Sequence, residues 1–264
     1  MFRKKLLILV SVGVVLPLLI LTYLQYRSLA ELQNKTKGAF KDNIRQGFTI
    51  VQQQMKQRLE EVAAQTLDPV ANRQLSPTRA EEELEPYFAI VKRSHPEIEE
   101  IFALDYRGDE QATAYVYSDK FAKIAPSDFT DTLSSFNRAL MAQSFVDGNR
   151  KYFFVPDKVQ RAYLFYPLLD LTRGEQTGFA GVLLTKSFVS DDLIAGSVSK
   201  ILNIYHGNTA PLSTIAFTIS DENNEVLYSN GAVQNGYLLE SNFDRPFSNW
   251  KAAVALKNTN LDAL

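Results

Sequence analysis

The 264-residue chain contains no cysteine. A disulfide framework and a zinc site built on thiolates are therefore excluded. Histidine is nearly absent as well. His95 and His206 lie far apart beside Pro96 and Gly207, so each reads as a loop or cap residue rather than a base or a metal ligand. Charge of one sign is also missing. Lys and Arg total 28 against 30 Asp and Glu, and no basic stripe is present, so nucleic acid is a poor partner. The sequence has no Gly-x-Ser-x-Gly, no glycine loop to cradle phosphate and no His-Glu-x-x-His. No catalytic residue, metal site or cofactor site is assigned. An acid–base pair of two ordinary carboxylates would carry no sequence signature, which leaves an enzymatic role of this region undecided.

A long uncharged run is present instead. Arg3, Lys4 and Lys5 precede Leu6 to Leu24, interrupted only by Ser11, Gly13, Pro17 and Thr22. At about 1.5 Å per residue this segment matches the hydrocarbon thickness of a bilayer. A cleaved signal peptide would start the same way. However, the run is longer than an ordinary signal core, and the best small-residue cleavage pattern, Ser28-Leu29-Ala30, lies beyond Tyr26 and Arg27. Tyr23 and Tyr26 suit a membrane interface. The segment is expected to be an uncleaved anchor in the inner membrane. The basic residues at its start place the N-terminus in the cytoplasm and the body outside, although Arg27, Lys35, Lys37 and Lys41 weaken that asymmetry.

The body is globular in composition, at 45% hydrophobic and 22% charged residues, which argues against extended disorder. From Arg27 to Thr66 the spacing predicts one long helix. It has no proline and is rich in Gln, Glu, Lys and Ala. Leu29, Leu32, Phe40, Ile44, Phe48, Val51, Met55, Leu59 and Val62 recur every three or four residues. That stripe needs a partner, either a second copy of the helix or the body itself. Asp68-Pro69 ends the helix or begins a turn. Ser76-Pro77 opens another helix, running to Ser94, with Ser as cap and Pro at the first position.

Strand signals follow at 98–105, 112–118, 151–155, 161–169 and 178–186, with helices expected at 127–142 and 189–205. Asp191-Asp192 reads as the cap and first turn of the second of these helices. A shorter pattern has strands at 213–220, 225–229 and 249–256, the last holding the only tryptophan, Trp250.

Two segments share one plan: an apolar strand ending in Asp, a polar turn, and a returning strand with aromatic content. They are HPEIEEIFALDYRGDEQATAYVYS at 95–118 and LSTIAFTISDENNEVLYSNG at 212–231. This plan resembles the opening hairpin of PAS-like Cache domains, the extracytoplasmic sensor modules of bacterial receptors. The order of elements is similar to the double Cache type. That resemblance implies an α+β fold: membrane anchor 1–26, stalk helix 27–75, larger distal PAS-like antiparallel lobe 76–206, and smaller proximal lobe 207–257. Residues 258–264 would lead into a second membrane helix that is not in this sequence, which implies a fragment.

The resemblance further implies a receptor ectodomain of the histidine kinase type, dimeric through its stalk. Chemotaxis and cyclic-dinucleotide receptors use the same module. A membrane-tethered scaffold without a small ligand is the alternative of a different class.

In this family the small molecule binds in the distal lobe, between the sheet and the loops covering it. On that implication the candidates are Tyr115, Tyr117, Arg150, Tyr152, Arg161, Tyr163, Tyr166 and Asp170. Aromatic walls with one Arg and one Asp suit a small carboxylate, amine or zwitterion. The same tyrosines also suit plain strand packing. Amino-acid-binding members carry an Arg followed closely by a Trp–Tyr pair. Here Arg150 is followed by Lys151, Tyr152 and Phe153, with no Trp.

Overall fold

The computed structural model describes residues 2–72, 80–105, 113–119, 121, 123–127, 152–156, 161–170, 175–205, 215–231 and 239–256. The first element is a single helix, α1, Phe2–Thr66, 65 residues long. Exposed pairs one turn apart support its surface, among them Arg27–Glu31 at 3.5 Å and Arg58–Glu61 at 3.1 Å.

The two halves of α1 have opposite surroundings. Val14, Leu18, Leu21, Leu24, Leu29 and Leu32 are all exposed. From Gly47 onward one stripe is buried: Phe48, Val51, Met55, Leu59, Val62 and Thr66. The stripe expected over the whole stalk therefore has a partner only in its second half, while the side chain of Phe40 lies outside the described residues. The exposed half contains the one segment, among the described residues, long and apolar enough to cross a membrane.

Asp68-Pro69 opens a five-residue helix, α2, Asp68–Asn72. α3, Ala80–Ser94, follows, with Pro86 on its exposed side. The expected start at Ser76-Pro77 lies outside the described residues.

Six strands form the larger sheet: β1 Ile98–Asp105, β2 Thr113–Ser118, β3 Lys123–Ser127, β4 Phe153–Pro156, β5 Ala162–Asp170 and β6 Glu175–Leu184. Their order is β3-β2-β1-β6-β5-β4, and all pairs are antiparallel. A π-helical segment, Phe188–Ala195, and helix α4, Gly196–Tyr205, lead away from β6. Four strands form the smaller sheet: β7 Ile215–Ser220, β8 Val226–Ser229, β9 Leu239–Asn242 and β10 Lys251–Leu256, in the order β8-β7-β10-β9.

The sheets share a plan. In each, the first strand lies inside the sheet, between its hairpin partner and the last strand: β1 between β2 and β6, β7 between β8 and β10. This is the architecture that the two matching hairpins predict. The chain is α+β with two antiparallel sheets. The β7–β8 turn shows why Asp ends such a strand. Asp221 Oδ1 accepts from the backbone N–H groups of Asn223 at 2.9 Å and Glu225 at 2.7 Å. Asn224 adopts a positive φ of 62°, which asparagine tolerates.

Several elements differ from expectation. β3 occupies a stretch without a strong strand pattern, and Ser127, expected to begin a helix, ends it. The remainder of the helix expected at 127–142 lies outside the described residues. β9 falls in a segment read as irregular, Leu-Glu-Ser-Asn, too short and too polar to register. The helix after β6 begins at Lys186, so Asp191 and Asp192 sit inside the π-helical segment, exposed, and do not cap it.

Position along α1 orders the sheets. Phe48 meets Phe217 of β7 edge-on at 5.5 Å. Farther along, Tyr152, just before β4, approaches the Lys56 carbonyl at 3.4 Å, and Tyr87 of α3 donates to the Thr66 carbonyl at 2.9 Å. The step from residue 48 to residue 66 is roughly 27 Å of helix. The smaller sheet thus lies nearer the exposed apolar end.

Candidate functional site

Strand side chains alternate between faces, and the larger sheet has two apolar faces of different character. One packs against helices: Ala103, Tyr117, Ile124, Phe154, Leu164, Ala180 and Val182 join α1, α3 and the π-helical segment in one core. The other carries a separate cluster of Phe102, Leu104, Ala114, Phe153, Tyr163, Phe165, Phe179 and Leu183.

Register arranges this second face in rows. Phe102 of β1 and Phe165 of β5 are both partners of Gly181 on the strand between them. The absent side chain lets their rings meet above it, with centroids 5.6 Å apart. Phe165 also meets Phe179 at 6.2 Å and stacks with Tyr163 at 5.8 Å. In the adjacent row Glu100, Leu183 and Tyr163 are register neighbours across β1, β6 and β5. Glu100 shares the parity of Phe102 and Leu104 by strand alternation, while the register shift between Ile98 and Glu100 turns Ile98 to the helix-packed face.

Among the described residues Glu100 is the carboxylate that shares this face, by its register with Leu183 and Tyr163. Its Oε2 is buried and has no hydrogen-bond partner. Burial raises its pKa above the ordinary carboxylate range, as does the neighbouring Glu99, while Arg161 and Lys92 oppose the shift. Those three neighbours have other partners. Arg161 donates to Glu99 Oε1 at 2.7 Å, and Lys92 donates to the carbonyls of Ile98 and Glu99 and pairs with Asp119 at 3.0 Å.

The residues expected from sequence divide between the two faces. Tyr115 and Tyr117 share a face, and it is the helix-packed one. Tyr152 is buried there, against the Lys56 carbonyl. Tyr166 lies on the same side and hydrogen-bonds Asp68 of α2. Burial first, then that carboxylate, raises its pKa. Tyr163 lies on the opposite face, in the aromatic cluster. Arg161 precedes β5 and is ion-paired with Glu99. Asp170 ends β5 opposite Glu175, and its side chain, like all of Arg150, lies outside the described residues.

The structure therefore brings Tyr163 together with Glu100 and four phenylalanines, and separates it from Tyr115, Tyr117, Tyr152 and Tyr166. Sequence reading missed Glu100 because it sits in an acidic pair that looks like a solvated edge. A strand beginning Ile-Glu-Glu-Ile, with two consecutive polar residues, was the available sign of a register shift. Among the described residues no cluster of acidic and histidine side chains could hold a metal ion.

Neither a protein-family model nor a curated protein matches the chain. Similar solved structures are sensory domains. The ligand-binding domain of the Campylobacter jejuni chemoreceptor Tlp3 in complex with L-valine is 11% identical, with 90% of this chain and 96% of that one covered and a TM-score of 0.39. The periplasmic domain of RsbU from Chlamydia trachomatis is 10% identical, with 85% and 94% covered and a TM-score of 0.46. The extracellular domain of a protein named as a histidine kinase, vpHK1S-Z8, is 13% identical, with 88% and 93% covered and a TM-score of 0.37. At these identities and TM-scores the likeness assigns neither ligand nor partner to this chain.

Proposed function

We propose that this chain is the ligand-sensing region of a membrane-bound bacterial signal-transduction receptor of the histidine kinase type. Its body is extracytoplasmic, its first helix is the anchor, and it acts as a homodimer through the stalk. The ligand is a small organic amine, bound in the larger lobe on the face away from the helices. Glu100 and Tyr163 supply its polar contacts, and Phe102, Phe165 and Phe179 its aromatic floor. Tyr115, Tyr117, Tyr152 and Tyr166 hold helices to the sheet.

The observation that carries this reading is the buried, unpartnered Oε2 of Glu100 among aromatic rings. A buried carboxylate oxygen without a hydrogen-bond partner is costly. A bound ammonium group offsets that cost with a charge-assisted hydrogen bond, and the rings favour a cation over their faces. Transmission has a physical route. α1 touches both lobes and continues into the apolar segment. A ligand shifts such a helix only by its differential affinity for two arrangements, and displacements of about 1–2 Å suffice in known switches.

The test is thermal-shift screening of the full chain in nanodiscs against small primary and quaternary amines. At least one is expected to raise the melting temperature of the wild type and leave Glu100→Gln unmoved. If no amine does so, or if both proteins respond equally, the reading fails. Complete burial of Phe102, Phe165 and Phe179 favours a second reading, a tethered scaffold with a filled lobe and no small ligand. Chemotaxis and cyclic-dinucleotide receptors remain the alternatives to the kinase type, and these differ in output rather than in this region.

A further inference from the structure

The helix between the two sheets runs from Lys186 to Tyr205, and Phe188–Ala195 within it is π-helical. The N–H of Gly196 donates to the carbonyl of Asp191, five residues back, where an α-helix reaches back four. Burial shows why. Phe188 and Val189 are buried, Asp191 and Asp192 are exposed, and Leu193 and Ile194 are buried again. These two buried pairs are five residues apart, whereas the next pair, Ser197 and Val198, follows after four. Five α-helical residues turn by roughly 500°, which would leave the second pair on another face. Ser190-Asp191-Asp192 is thus one residue longer than an α register accepts, and the wide turn takes up the surplus.

The same residues have two α registers. One anchored at Phe188 puts Asp192, four residues on, among the apolar side chains, where a carboxylate is costly. One anchored at Leu193 and Ile194 puts Ser190 in that place and turns Phe188 to solvent. Ser190 tolerates the place, because a serine hydroxyl bonds a carbonyl one turn back. It already lies 3.5 Å from the Ser187 carbonyl. The ring of Phe188 is covered on its outer face by Arg58 of α1, an exposed side chain whose guanidinium is 5.9 Å from the ring centroid.

We propose that Phe188–Ala195 is a two-register joint, in which the π form exchanges with the α form that releases Phe188 and buries Ser190. This goes beyond the ligand reading and does not depend on it. The segment lies between two fixed points. The Thr185 N–H donates to the Glu97 carbonyl at 2.8 Å, just before β1, and Lys200 donates to Gln54 of α1 at 3.4 Å. A change of register takes up one residue between them, about 1.5 Å of helix. Displacements of that size carry known switches. The larger sheet is thereby reset against the stalk helix with every strand intact, and the share of each form follows their difference in free energy.

The test uses the full chain in nanodiscs with nitroxides at Lys186→Cys and Ser199→Cys, two exposed sites flanking the segment in a chain without native cysteine. Pulsed electron resonance reads the distance between them. Two distances are expected in the otherwise unaltered chain. Deleting Asp191 brings the buried pairs to a spacing of four, so a continuous α-helix forms and one distance remains. Ser190→Leu buries extra apolar surface in the α form, so the ratio of the second distance to the first is expected to rise at least about tenfold. The proposal is overturned if Ser190→Leu leaves that ratio unchanged, whether one distance is present or two, or if the folded deletion variant keeps both distances. The Ser190→Leu comparison decides the matter even if the deletion variant does not fold.

Discussion

The ring of Phe102 occupies the space that a β-carbon on Gly181 would need. The two residues are register partners on β1 and β6, and the ring carbons lie closer to that position than real β-carbon contacts allow. Phe165, Gly181's partner on the other side, closes the gap from β5. This is a steric requirement for glycine in the middle of a central strand, where glycine is otherwise unfavourable. Gly181→Ala is expected to destabilise the protein by about 1–3 kcal/mol through overpacking, measured by chemical denaturation. Phe102→Leu in the Gly181→Ala background should recover part of that loss, because the two sites are in contact. Wild-type stability in Gly181→Ala would contradict the packing described.

Glu100 gives a pH dependence with a definite sign. Its carboxyl is raised above the ordinary range in the folded state, chiefly by burial and then by Glu99, with Arg161 and Lys92 opposing. A raised carboxylate favours the protonated form on folding. Its stabilising contribution is therefore complete below the unfolded-state pKa and is lost as pH rises through the higher folded-state value. Glu100→Gln removes that loss. The variant should match the wild type near pH 4 and melt at a higher temperature near pH 7, since ordinary glutamate ionises between these limits. A difference in melting temperature that is flat with pH would count against a carboxyl group raised by burial.

Phe154 ties the lobes together through its contacts with Phe247 and Trp250. Phe154→Ala should cost about 3–5 kcal/mol, as for other buried phenylalanines, and should shift Trp250 emission to the red as water enters. Phe165→Ala, on the opposite face of the sheet, should cost a similar amount and leave the emission of the folded protein unchanged. The paired spectra check this prediction, and equal shifts in both variants would contradict the junction.

The exposed half of α1 makes a separate prediction. Leu29 and Leu32 lie one turn apart on the exposed half of the helix and are 60% and 62% exposed. A stalk dimer would cover them. The chain has no native cysteine, so single introduced cysteines act without background. In membranes Leu29→Cys and Leu32→Cys should cross-link strongly and Glu31→Cys weakly. Uniform or absent cross-linking would exclude a dimer through this face.

The long helix and both opening hairpins were legible because their signals are local. Apolar spacing runs the length of the stalk, and Asp221 closes its turn with its own side chain. The choice of sheet face was not legible. Tyr115 and Tyr117 show by alternation that they point the same way, but only packing against the helices shows which way that is. The irregularity at Ile98–Glu100 breaks the alternation at the start of β1, and Glu100 follows Glu99 there as one of an acidic pair. The aromatic row over Gly181 draws on residues 102, 165 and 181 of three strands, and no window of sequence holds all three. The strand β9 is four residues, two of them exposed, and it exists because β10 offers it an edge.

The account depends on one helix that stays in the membrane and carries both lobes outside it. The most direct measurement is protease accessibility combined with N-terminal sequencing after expression in a Gram-negative host. The account predicts full-length protein in the inner-membrane fraction, with its original N-terminus, and a body that is digested in spheroplasts and protected in intact cells. Soluble protein beginning near residue 31, or a body that resists protease in spheroplasts until the membrane is dissolved, would contradict it.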